Sequence, residues 1–252
     1  MNRELQSKFV ERWRKYFGES GLPVAFWFTD EEAGAPLVDA KTAHRCLVAN
    51  LAKALGGRPM RFGADSLACA GGKRYCGFGG TLRPEFPYFL SYGIPGKLEG
   101  ERYKKSPELV EEMVRRIPVL KAPRKYLVMK RWDQVEASEE PDAVVFVASP
   151  EVVSGLFTLS NFEEAEPFGV IAPFGAGCAA VVQYPYLEQQ AEKPRCVLGM
   201  FDPSARPFVP KDAVGFSIPM RKFARMVENM DESFLTTRTW DAIRKRIGKR
   251  RT

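Results

Sequence analysis

Histidine is almost absent from this sequence: His44 is the one imidazole in 252 residues. Any site needing two imidazoles from one chain is therefore excluded, which removes zincin, carbonic-anhydrase-like and facial-triad centres. Long hydrophobic runs are also missing. The apolar stretches are strand-sized, as in Val144 to Ala148, and fall far short of the roughly 20 residues that cross a bilayer. No membrane partner is expected. The opening residues Met1-Asn2-Arg3-Glu4-Leu5-Gln6-Ser7-Lys8 lack the apolar core of a secretory signal. Cysteine is sparse and odd in number, at five, which argues against a disulfide framework. The expectation is a cytoplasmic protein.

Charge of one sign is scarce outside a single place. The chain carries +7 overall, but Arg238 to Thr252 holds seven basic residues and one acid. The remainder is close to neutral. A nucleic-acid-binding domain spreads its basic groups over one face of the fold, so nucleic acid is not an expected partner. Residues 248–252 read as a basic tail.

What is present is a mixture of helical and strand patterns. Leu5, Phe9, Trp13 and Phe17 form a helical stripe closed by Gly18. Val24 to Phe28 reads as a strand buried on both faces. Asp39 is placed to cap a helix from about Lys41 to Leu55, and Ser106-Pro107-Glu108 opens another. Strand and helix signals then alternate without a regular βαβ rhythm. This predicts a single α+β domain over 1–252, with a sheet flanked by helices. Residues 58–100 hold nine glycines and four prolines and read as a long, ordered, pocket-forming loop region.

Chemistry concentrates on cysteine and glycine. Cys69 and Cys76 bracket the run Ala70-Gly71-Gly72-Lys73-Arg74-Tyr75, and Cys46 lies in the preceding predicted helix. Thiolates on glycine-rich backbone can converge on a single soft metal ion or an iron–sulfur cluster. Cys46, Cys69 and Cys76 are the candidate ligands, with Cys178 a candidate fourth. The competing reading is that reduced cysteines pack as small hydrophobes. Gly71, Gly72, Lys73 and Arg74 combine backbone N–H groups with two cations, a candidate site for a small anion. Gly177 lies in Gly175-Ala176-Gly177-Cys178, which reads as a turn feeding a helix N-terminus. His44 and Cys46 do not face one another on a helix, so a thiol–imidazole pair would need Cys69 or Cys76.

Pro23-Val24-Ala25, Cys46, the segment Cys69 to Gly80, Phe146-Val147-Ala148-Ser149-Pro150, Gly175 to Cys178 and Phe216-Ser217-Ile218-Pro219 occur in an order that resembles the domain-of-unknown-function family numbered 169. The resemblance covers nearly the whole chain and implies no particular reaction. It also implies a tight Gly-Asp turn ahead of Arg206, where this chain has Met200-Phe201-Asp202. Arg206 is on that basis a candidate ligand-binding residue. Together these features predict a protein that binds a metal centre or small anionic cofactor through its Cys/Gly-rich segment. The alternative is a non-catalytic small-molecule-binding or sensing module whose cysteines are structural.

Overall fold

The structure, a computed structural model, describes residues 2–41 and 46–248. The helical stripe near the N-terminus forms α1 (Arg3–Phe17), capped by the Asn2 side chain, which accepts from the Glu4 N–H at 2.8 Å. β1 (Val24–Thr29) follows, then α2 (Leu47–Leu55) and β2 (Met60–Phe62). Two short helices come next, α3 (Ala70–Tyr75) and α4 (Phe86–Leu90), ahead of α5 (Pro107–Arg116). The second half runs β3 (Tyr126–Arg131), β4 (Ala143–Ala148), α6 (Pro150–Ser160) and β5 (Val170–Ile171). A π-helical segment, Ala179–Gln183, leads directly into α7 (Tyr184–Gln189). β6 (Cys196–Gly199), β7 (Val214–Pro219), α8 (Met220–Asn229) and α9 (Arg238–Arg244) complete the order.

The seven strands form one sheet in the order β2-β3-β1-β4-β7-β6-β5. Neighbours are antiparallel except β5 and β6, which are parallel. This is the mixed α+β architecture the pattern predicts. The alternation of side chains along β1 divides the core in two. Ala25 and Trp27 face a layer built by α1, α6, α8 and α9, where Phe9, Trp13, Leu156, Phe223 and Trp240 pack together. Val24, Phe26 and Phe28 face the opposite layer, with Leu47, Val48 and Leu51 of α2 and Val181 and Val182 of the π segment. Burial on both faces explains why β1 reads as an unbroken apolar run. Among the described residues, no helix is long and apolar enough to cross a membrane.

Three local expectations need revision. Residues 58–100 are not continuous loop: they contain β2, α3 and α4. These elements are three to six residues long, too short for a periodic pattern to register. Asp39 does accept from the Lys41 N–H at 2.8 Å, but α2 begins at Leu47 with Cys46 as its N-cap residue. Glu139, which reads as a solvated acid beside Glu140, is buried and accepts from Lys130 Nζ at 2.7 Å. His44 lies outside the described residues, as do Lys249, Arg250 and Arg251 of the tail.

Candidate functional site

Cys76 and Cys178 belong to the second layer, Cys46 packs against it and Cys69 is exposed; three of the four sit at helix starts. Cys46 is the N-cap residue of α2, and Cys69 that of α3; in both the backbone is extended and the thiol makes no capping hydrogen bond. Cys76 closes α3. Cys178 immediately precedes the π segment.

Packing draws these starts together. Val48, in the first turn of α2, lies 3.0 Å from where a Cβ on Gly177 would be, so the residue next to Cys178 is seated against the helix that Cys46 begins. The backbone turn after Cys76 is made by Gly77, at φ 80°, whose missing Cβ leaves room for the Ala122 backbone. Ala122 donates its N–H to the Gly77 carbonyl at 2.9 Å.

The thiols feel one another. Burial pushes the Cys178 thiol well up, and Cys76, Cys69, Cys46 and Asp202 push it further in that order. Burial likewise raises Cys76, with Cys69 adding to the effect. Burial, the larger cause for both, keeps these two sulfurs in the neutral thiol form. Cys69 is exposed and Cys46 half-buried, whereas Cys76 and Cys178 are buried. The site therefore has an inner pair and an outer pair of sulfurs. Among the described residues, no three of His, Cys, Asp and Glu are gathered closely enough to hold a metal ion as they stand.

Cys196 is apart from this group. It packs in the first layer, and burial raises its thiol to about 12. It behaves as a small core hydrophobe.

The segment after β6 contributes a carboxylate that the sequence reading passed over. Asp202 is buried. Its Oδ2 accepts from Ser204 Oγ at 2.5 Å, while its Oδ1 is buried without a hydrogen-bond partner. A Cβ on Gly177 would lie 3.3 Å from that Oδ1. Met200, two residues earlier, has φ 64°, the left-handed conformation that glycine adopts without strain. The turn in this segment lies further on, where Ala205 donates its N–H to the Asp202 carbonyl at 3.0 Å. Burial also raises Tyr75 to about 12, and Cys178 and Asp202 both contribute.

The remaining candidates are placed as follows. Gly71 and Gly72 lie inside α3, not in an open loop; Cβ atoms there would meet the Cys69 side chain at 3.7 Å. Lys73 and Arg74 occupy the last turn of the same helix, so their charges complement its C-terminus. The guanidinium of Arg206 donates to the carbonyls of Ala213, Pro210 and Lys211 at 2.7, 3.2 and 3.0 Å. In that position it clips the loop ahead of β7.

A family model named DUF169 and described as "Uncharacterised ArCR" matches residues 14–229, most of the chain. The chain belongs to this family. No curated protein and no solved structure matches it. The DUF169 match spans Cys46, Cys69, Cys76, Cys178 and Asp202. It stops before α9, leaving Trp240 and the basic tail outside.

Proposed function

We propose that this DUF169 protein binds a soft metal centre, a single ion or an iron–sulfur cluster, through Cys46, Cys69, Cys76 and Cys178. One observation carries the reading. Three of the four thiols stand at the start of α2, α3 or the π segment and the fourth closes α3, and the residue beside Cys178 is packed against the helix that Cys46 begins. A metal cation lowers the pKa of the buried Cys76 and Cys178 thiols and is bound as protons leave. The π segment that follows Cys178 supports the reading, since such segments recur at functional sites. Loading would require the inner and outer sulfurs to close on the ion, because the described donors are not gathered without it.

That ungathered geometry favours a second reading, in which the cysteines are packing groups of a non-catalytic small-molecule-binding module. Anaerobic purification followed by elemental analysis and a visible absorption spectrum separates the two. The metal reading expects stoichiometric metal, lost when Cys69 and Cys178 are each replaced by serine. Protein that stays metal-free and colourless after incubation with iron and sulfide, and with zinc, overturns it.

A further inference from the structure

We propose that α4 and the loop returning along it form a docking surface for single-stranded nucleic acid, separate from the thiols and independent of the metal reading. α4 buries none of its own residues. Tyr88, Phe89 and Tyr92, on and just after it, are 40, 37 and 51% exposed. Exposed aromatic rings gathered on one short element mark an interaction surface. The fold nonetheless ties this element down. The chain doubles back on it, and Glu101, Arg102 and Lys104 donate their N–H groups to the carbonyls of Phe89, Ser91 and Leu90 at 2.7, 2.9 and 3.0 Å. The return is possible because Gly93 and Gly100 cross where neither leaves room for a Cβ.

The charges around the rings identify the partner. Residues 83–105 carry five basic residues against three acids. Two of the acids are engaged within the surface: Glu85 pairs with Lys97 at 3.5 Å, and Glu101 accepts from the Tyr103 hydroxyl. Arg83, Arg102 and Lys105 are exposed and form no ion pair among the described residues. Lys104 Nζ stands 4.4 Å from the centre of the Phe174 ring, which is 52% exposed, so the combination of cation and ring extends beyond α4. Acids elsewhere balance these cations in the whole-chain charge, which is why the sequence alone argues against nucleic acid. The Tyr88 and Tyr92 rings meet edge to face at 74°, and Phe86 and Phe89 are tilted by 38°. These pairs leave ring faces open, whereas the core pair Trp13 and Phe17 is stacked at 16°. Single strands are bound in this way, with bases stacked on aromatic faces and cations along the phosphates. An acidic peptide would use the cations but not the faces. A membrane surface calls for a long amphipathic helix, and α4 has five residues.

Fluorescein-labelled oligo(dT) and oligo(U) of about 12 nucleotides are the probes. Fluorescence anisotropy at physiological salt follows their binding to the full chain and its variants, with far-UV circular dichroism recorded on each. The double variant Tyr88→Ala, Tyr92→Ala is expected to bind at least about tenfold more weakly than the wild type, since it removes two stacking platforms. Arg102→Gly removes a cation at φ 55°, a conformation glycine adopts without strain. It should keep the wild-type melting temperature and flatten the slope of log affinity against log salt by about 0.7. Deleting residues 248–252 should leave the affinity unchanged, and metal-free protein should bind as well as loaded protein, so failure of the metal reading leaves this one standing. A wild type that binds neither probe overturns the proposal, as does a double variant that binds like the wild type, or affinity that vanishes with residues 248–252. So does a wild type that binds no probe but self-associates and becomes monomeric in the double variant, which would make the occupant a second copy of the chain. One measurement needs no variant: RNA carrying 4-thiouridine should photocross-link within residues 86–104, and cross-links confined to residues 238–252 overturn the proposal.

Discussion

Gly199 is the position where the seating of the candidate site can be tested by one methyl group. It lies on β6 directly beneath the π segment, and a Cβ there would overlap the Cβ of Ala180. Ala180 cannot retreat easily. Its carbonyl accepts from Ser217 Oγ at 2.8 Å, and it is two residues from Cys178 in a fully buried stretch. Gly199→Ala therefore overpacks a tight interface, at about 1–3 kcal/mol. For a chain of this length that corresponds to a melting-temperature loss of roughly 2–12 °C. Ala180→Gly removes the opposing methyl and by itself costs about 1 kcal/mol in helix propensity. In the double variant the two changes compensate, so its stability should return close to that of Ala180→Gly alone, a coupling of about 1–3 kcal/mol. Thermal unfolding followed by circular dichroism measures all four proteins. A neutral Gly199→Ala, or a double variant whose loss equals the sum of the singles, would refute the close approach of β6 to the π segment.

Further outcomes follow from other buried groups. Burial raises the Asp142 carboxyl to about 6, against the lowering effect of the hydrogen bond it accepts from the Phe28 N–H at 3.1 Å. The folded chain thus holds a proton the unfolded chain has released, and this contribution to stability is lost as pH rises from the ordinary carboxylate range through about 6. Asp142→Asn should melt progressively higher than the wild type as pH is raised across that window; parallel curves would contradict the assignment. Glu139→Ala strands Lys130, which is 2% exposed and retains only the Glu136 carboxylate at 3.6 Å as an ion-pair partner among the described residues. Breaking a buried pair costs about 3–5 kcal/mol, so chemical denaturation should show a loss of that order, and a loss under about 1 kcal/mol would place the pair in solvent. Deleting residues 248–252 should leave the melting temperature within about 2 °C, on the scale of a few degrees per kcal/mol; the last ion pair of the described C-terminus is Arg246 with Glu151, at 2.7 Å.

Elements whose cause is local were legible in the sequence. The four-residue spacing of Phe9, Trp13 and Phe17 becomes the buried face of α1. Ser106 caps α5 as its spacing predicts, with its hydroxyl accepting from the Leu109 N–H at 3.5 Å, and Trp240 carries α9 into the core. Elements whose cause is distant were not legible. Nothing in Ala179 to Gln183 signals a π ladder; the close approach of Gly199 and the bond from Ser217 act there from β6 and β7. The cysteines stood out by residue type. Their mutual placement depends on contacts between residues more than a hundred positions apart, such as Val48 with Gly177. Asp202 was overlooked because an aspartate beside proline and serine has the composition of an ordinary turn. Its unusual feature, one oxygen paired and one orphaned in the interior, exists only after folding.

The central claim is that the thiols of three helix starts act together on one ion. X-ray absorption at the metal edge of the zinc-loaded wild type tests it most directly, because it counts the sulfur neighbours of the bound ion. The account predicts at least three sulfurs at about 2.3 Å, the usual zinc–thiolate distance, with the count falling in Cys178→Ser. A shell of oxygen and nitrogen alone would contradict it.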